Sequence, residues 1–185
     1  VFIDFPPGGR VLALDPATKT GFAYGAPSDA APRIGTINLG REQDVPADVF
    51  GRAVRWFDKE ICSADLLVIE PPIPPGQLWH GSNYQSTVIL HGLYAIFVGM
   101  AREYDVGVIE APTRTWRKYF LGSGNMKRAQ AKLAAKRLCR SLGWGDPLKL
   151  DDNAAEAAGM WAWGCAQVEP ARVRRIEPLF TGARE

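Results

Sequence analysis

Histidine and cysteine are nearly missing from this chain of 185 residues, which has two of the first and three of the second. His80 and His91 stand isolated, and neither is assigned a catalytic role. Cys62, Cys139 and Cys165 are odd in number, widely spaced and without a CxxC pair. That excludes a disulfide scaffold or a zinc framework and reads as reduced, semi-buried thiols in a cytosolic protein. A charge excess is missing too: 22 Lys and Arg against 20 Asp and Glu leave a net charge of +2, which alone says little about partners. No apolar run reaches the roughly 18–20 residues that cross a bilayer. The longest, 87–101, is interrupted by His91 and glycines, so no membrane partner is expected. No basic region followed by an apolar stretch opens the chain, so a secretory signal is not expected either. Neither an internal repeat nor an interdomain linker is visible.

What is present is a soluble-type composition, 46% hydrophobic and 23% charged, enough to build one core of ordinary size. We expect one domain over 1–170 and a basic tail over 171–185. Arg10-Val-Leu-Ala-Leu-Asp15 reads as a central strand, 16–21 as a turn, and 21–25 and 33–39 as two more strands of an antiparallel meander. Pro46 opens a helix on which Val49, Phe50, Ala53, Val54, Phe57 and Ile61 recur at helical spacing. Leu66-Leu-Val-Ile-Glu70 is a further strand, stopped by a proline-rich loop over 71–76. Ser82 or Asn83 is placed to cap a long helix running to about Tyr104, followed by a strand over 106–111. A basic helical region spans 113–142 with a break at Gly122-Ser-Gly124, and a last helix starts near Asp151. Strands alternating with helices in the second half imply an α/β mixed sheet with helices on its faces.

Two of these strands end in an acid, Asp15 and Glu70. A carboxylate there projects from the sheet edge, where open α/β sheets place ligands; a helix cap or a structural salt bridge is the alternative. Asp151-Asp-Asn-Ala-Ala-Glu156 adds more. Asp152 and Glu156 are four apart, on one face of a helix, with Asn153 in reach. Asp151 fits the ordinary role of an acid at a helix start. Glu156 does not, being flanked by alanines inside the helix. Carboxylates gathered without histidine or cysteine are hard oxygen ligands suited to Mg²⁺, with Mn²⁺ possible. Two such ions per site activate water and stabilise a leaving oxygen in phosphodiester hydrolysis.

Positive charge is concentrated between Arg114 and Lys149, where ten Lys and Arg face a single acid, Asp146. A patch of this kind binds polyphosphates by counterion release; a solvated helix face, with Leu133, Leu138 and the alanines turned inward, is the alternative. The Gly122-Ser-Gly124 break would let the backbone approach a phosphate. Trp116 and Tyr119 either stack on bases or pack the core. Trp161 and Trp163 read as packing or a subunit contact.

The ordered set Leu12-Ala-Leu-Asp-Pro-Ala-Thr-Lys-Thr-Gly21, Leu67-Val-Ile-Glu70, Asn83-Tyr-Gln-Ser86, Ala111-Pro112 and Asp151-Asp-Asn-Ala-Ala-Glu-Ala157 resembles the RuvC-like Holliday junction resolvases of phage and bacterial type, over about residues 10–165. The resemblance implies a ribonuclease H-like sheet of five strands, three antiparallel and then two parallel. It implies Asp15, Glu70 and Glu156 as catalytic, metal-binding acids. The family's remaining acid falls at Asn153 here, so Asp152 is the expected substitute. The DNA-binding residues expected are Lys19, Arg117, Lys118, Lys127, Arg128 and Lys132. The implied activity is metal-dependent cleavage of branched DNA by a homodimer, with the long helix after 83 as a dimer element, in the cytoplasm of a bacterial or phage-infected cell. Two other readings stand beside it: a catalytically silent branched-DNA binder or scaffold, and an actin-like phosphotransferase, for whose two lobes the chain is short.

Overall fold

The apolar run ending at Asp15 forms β1 (Val11–Asp15), the middle strand of a five-stranded sheet. In the computed structural model, which describes residues 5–73 and 84–169, β1 pairs antiparallel with β2 (Lys19–Gly25). β2 in turn pairs antiparallel with β3 (Arg33–Asn38). On its other side β1 runs parallel to β4 (Leu66–Ile69), and β4 to β5 (Gly107–Glu110). The order β3-β2-β1-β4-β5 is the ribonuclease H-like mixed sheet of the expectation. β2 starts two residues earlier than expected, because Lys19 and Thr20 already pair with Asn38 and Ile37.

Both faces of the central strands are covered, which explains why β1 and β4 are continuous apolar runs and do not alternate. Val11, Ala13, Leu66 and Val68 face one core; Leu12, Leu14, Leu67 and Ile69 face the other. The second core is closed by α1 (Pro46–Ile61) and α2 (Tyr84–Glu103). On α1, Val49, Ala53, Phe57 and Ile61 are buried, whereas Val54 lies beyond the apolar stripe and is exposed. The Asp48 carboxylate accepts the Val45 N–H at the start of α1, where Pro46 needs no donor of its own.

α2 corrects one expectation: with 20 residues and a mean hydropathy of 1.2, it is long and apolar enough to cross a membrane by length and composition. It buries Ile89, Leu93, Phe97 and Ala101 against α1 and the sheet, while Tyr84 and Leu90 remain exposed. The cysteines also divide more sharply than expected, Cys62 exposed and the other two buried.

The first core is closed by α3 (Thr113–Leu121), α4 (Arg128–Ser141) and α5 (Asp152–Val168). α5 lies directly on the sheet, contacting β1, β2, β3 and β4, and is covered by α3 and α4. Its sequence is nearly all small residues on that side, so its backbone comes close. A Cβ on Gly21 would sit 2.1 Å from the Asn153 carbonyl oxygen, and one on Gly164 2.4 Å from Val68 Cγ2. Only glycine fits at such distances. Leu133, expected in the core, is half-exposed on the outer face of α4, whereas Leu138 is buried. The cap at Ser82 or Asn83, His80, the end of the proline-rich loop and the tail over 171–185 lie outside the described residues.

Candidate active site

Strand phase decides which acids meet. Side chains alternate along a strand, so Asp15 falls on the same face as Val11 and Ala13, which pack under α5. Glu70 follows β4 in the phase of Leu66 and Val68, and its N–H still bonds to the Leu14 carbonyl. Both acids therefore emerge at the C-terminal edge of the parallel strands beneath the N-terminal turns of α5. The turn after Asp15 is held by buried Thr20, whose hydroxyl donates to the Ala17 carbonyl at 2.6 Å.

These residues line one cavity of 390 Å³ that brings together Asp15, Glu70 and Glu156 with Arg117, Arg128 and Asn153. Pro16 and Ala17 form one rim; Pro71, Pro72, Ile73, Leu90 and Tyr94 form an apolar wall. Burial pushes the Asp15 carboxyl up to about 7, with Glu70 and Glu156 adding to the rise and Lys132 and Arg128 opposing it. Burial also raises Glu70, against hydrogen bonds from Thr113 and Trp116 that favour its ionised form. The Thr113 hydroxyl donates to Glu70 Oε1, and the indole Nε1 of Trp116 to Oε2 at 3.3 Å. Glu156, 6% exposed, accepts from Arg117 Nη2 at 2.6 Å and lies 3.7 Å from Lys132 Nζ.

The other expected residues separate from this group. Asp152 is not part of the cavity lining; it lies 3.3 Å from Lys136 Nζ and 3.9 Å from Lys132 Nζ, which it shares with Glu156. Asp151 caps α5, accepting from the Ala154 N–H at 2.9 Å and the Thr36 hydroxyl at 2.6 Å. Lys19 lines a second cavity with Lys149 and Asn38. Lys118 and Lys127 are exposed outside the acid cavity. Trp116 is wholly buried, Trp161 is buried with its N–H on the Gly25 carbonyl, and Tyr119 is half-buried against the same core. The Gly122 break ends α3 with a positive φ of 79°. Gly124 is needed because a Cβ there would meet the Arg114 carbonyl oxygen at 2.6 Å.

Sequence reasoning missed Thr113 and Tyr94, and read Lys136 only as part of the basic segment, not as the partner of Asp152. It also passed over Glu110, which ends β5 just as Asp15 ends β1. Glu110 follows Val108 in phase, so it faces the α2 side and accepts the Tyr94 hydroxyl.

The donor chemistry fits a hard divalent cation: Glu70 and Glu156 raise the proton affinity of Asp15, and Glu156 that of Glu70, a repulsion that such an ion relieves. Among the described residues, no three acidic side chains stand close enough to hold an ion in this arrangement. Arg117 and Lys132 supply the compensating charge at Glu156 instead.

The structure is similar to the Thermus thermophilus RuvC structure, with a TM-score of 0.60 at 15% identity over 85% of this chain and 95% of that one. The chain has the RuvC fold. T. thermophilus RuvC in complex with Holliday junction substrate gives 0.63 at 13% identity, over 86% of this chain and 97% of that one. The yeast mitochondrial Holliday junction resolvase Ydc2 gives 0.56 at 15%, over 92% and 87%. No family model and no curated protein matches the sequence. In this chain the acid cavity sits where the parallel strands β1 and β4 end and α5 begins.

Proposed function

We propose that the chain is a metal-dependent, structure-specific endonuclease that hydrolyses phosphodiester bonds in branched DNA, with the four-way junction as its principal substrate. The observation that carries this reading is the single cavity in which Asp15, Glu70 and Glu156 meet Arg117 and Arg128. Acids without histidine or cysteine suit metal-assisted phosphoryl chemistry, and the two guanidiniums suit a phosphodiester. Junction resolution by proteins of the same fold supports the substrate class.

Asp15, Glu70 and Glu156 would hold Mg²⁺ or Mn²⁺, with Asp152 or Asn153 completing a second position. When bound, the ions supply Lewis acidity and an activated water. The chain's own part is to orient the scissile phosphate with Arg128, which lines the cavity and is exposed, and with Arg117. Leu90 and Tyr94 close the apolar side.

Two symmetric cuts need two sites related by a two-fold axis. α2 suits the dimer contact, because its mean hydropathy is high yet Tyr84, outside the acid cavity, stays exposed on it. The expected setting is the cytoplasm of a bacterial or phage-infected cell.

Incubating the purified chain with Mg²⁺ and end-labelled four-way junctions tests this. Paired nicks on junctions, absent from linear duplex and lost in Asp15→Asn, are the expected result. The engagement of Glu156 by Arg117 and Lys132 favours a second reading, a junction binder that does not cut. Tight junction binding without nicks, unchanged by Asp15→Asn, would establish it. Nothing in the described residues favours a phosphotransferase, since they form one sheet and not two comparable lobes.

A further inference from the structure

Three tryptophans of the α5 core give their N–H groups to three different acceptors. Trp144 donates to the Ala30 carbonyl and Trp161 to the Gly25 carbonyl, both main-chain groups. Trp116 donates to Glu70, a carboxylate lining the cavity. Three residues earlier on α3, Thr113 donates to the other oxygen of the same carboxylate. Residues three apart in a helix share a face, so one turn presents two donors to one acid. An ionised carboxylate offers about four lone-pair positions. The pair takes one on each oxygen and leaves the others for the cavity, and the group cannot rotate without breaking both bonds.

Trp116 is linked to the second acid only through its neighbours. Its ring packs on α5 at Gly159, where an added Cβ would fall 2.9 Å from Cζ3, and Gly159 is three residues beyond Glu156. The Arg117 guanidinium lies 5.3 Å from the centroid of the Trp116 ring and bonds to Glu156. A phenylalanine would supply apolar bulk at position 116, and a valine would match the shape of Thr113. Packing alone therefore does not call for either donor.

We propose that the first turn of α3 sets the spacing of the metal site, with Thr113 and Trp116 as positioning residues that fix Glu70 relative to Glu156. This inference rests on the reading of the cavity as a metal centre. Hydrogen-bond partners behind metal ligands typically change metal affinity by about 10–100-fold when removed.

Titration calorimetry of the DNA-free, full chain with Mn²⁺ tests it, using Thr113→Val, Thr113→Ser, Trp116→Phe and an Asp15→Asn control. Thr113→Val and Trp116→Phe should each weaken Mn²⁺ binding about tenfold or more, whereas Thr113→Ser should keep the wild-type affinity. Should Trp116→Phe fail to fold, the Val and Ser pair decides. Val and Phe variants within twofold of wild type, or a Ser variant as weak as Val, overturn the positioning role. If wild type takes up no Mn²⁺, or Asp15→Asn binds it equally well, the metal-centre reading falls and this inference with it. Normal controls with unaffected clamp variants sink the inference alone.

Discussion

Both faces of the sheet carry buried aromatics, but they differ in how a helix is seated on the strands. On the α1 and α2 side the core is aromatic and bulky: Phe57 and Phe97 meet at 4.9 Å between ring centroids, with Trp56 against both. On the α5 side, alanine and glycine bring a helix backbone almost onto the strands. The bulky face excludes water over a large area and contributes stability roughly in proportion to it. The close face fixes position: with so little side chain between α5 and the sheet, Glu156 cannot drift far from Asp15 and Glu70. The acids lie on the close face, so we expect stability and chemistry to be separable by substitution.

The largest expected effect is on the chemistry. Asp15→Asn keeps shape and removes a charge, and should lower junction nicking about a thousandfold or more if metal-borne charge stabilisation of several kcal/mol depends on it. Single-turnover nicking in Mg²⁺ measures this. Residual activity above a tenth of wild type would break the assignment.

The faces themselves are compared by Phe57→Ala and Gly21→Ala. The first should cost about 3–5 kcal/mol of stability yet leave nicking per folded molecule within a few-fold at low temperature. The second should cost about 1–3 kcal/mol through overpacking, but reduce nicking at least tenfold by pushing Asn153 and Glu156 off the sheet. Denaturant titrations beside single-turnover rates check both. Equal ratios of lost activity to lost stability would mean that the two faces do the same work.

Much of this was legible in the sequence, and the parts that were not share a cause. The strands and the mixed sheet were legible from apolar runs and turn residues, the arrangement of three antiparallel and two parallel strands from the resemblance to RuvC-like resolvases, and Asp151 as a cap from its place before α5. Asp15 and Glu70 were legible as apolar runs ending in an acid, but β5 carries the same signature in Gly-Val-Ile-Glu110 and points to the other face. Phase relative to the helices separates them, and it depends on the register between strands, which composition does not encode. Lys132 and Lys136 were read as charges toward solvent or DNA; the crossing of α4 over α5 aims them at Asp152 and Glu156. Thr113 and the N–H of Trp116 were not picked out, because a threonine and a core tryptophan carry no local signal of what they will face.

A pH dependence sharpens the comparison at smaller scale. The Asp15 carboxyl sits at about 7 in the folded chain against an ordinary 3.8. Between those values the native state holds a proton that the unfolded state has lost, so stability falls as pH rises through this window, and the cost is complete above about 7. Shared among coupled acids, we expect about 1–3 kcal/mol. In EDTA, Asp15→Asn should match wild type near pH 4 and unfold at a higher temperature near pH 8. A destabilised variant at pH 8 would mean that the Asp15 charge is already compensated within the protein.

The smallest effect divides the basic residues of α4. Arg128 is exposed, lines the cavity and forms no salt bridge among the described residues, whereas Lys132 pairs with both Glu156 and Asp152. A cation outside any ion pair has more of its charge to give a phosphate than one already paired. Arg128→Ala should therefore weaken junction binding roughly three- to tenfold and reduce the salt slope by about one, a single phosphate contact. Lys132→Ala should change the slope less, while releasing Glu156 from one of its two cations. Fluorescence anisotropy of labelled junctions across a salt series reads both slopes. Were Lys132 to carry the larger one, the ion pairs on the close face would have to open when DNA binds, and the rigidity assigned to that face would belong to the free protein alone.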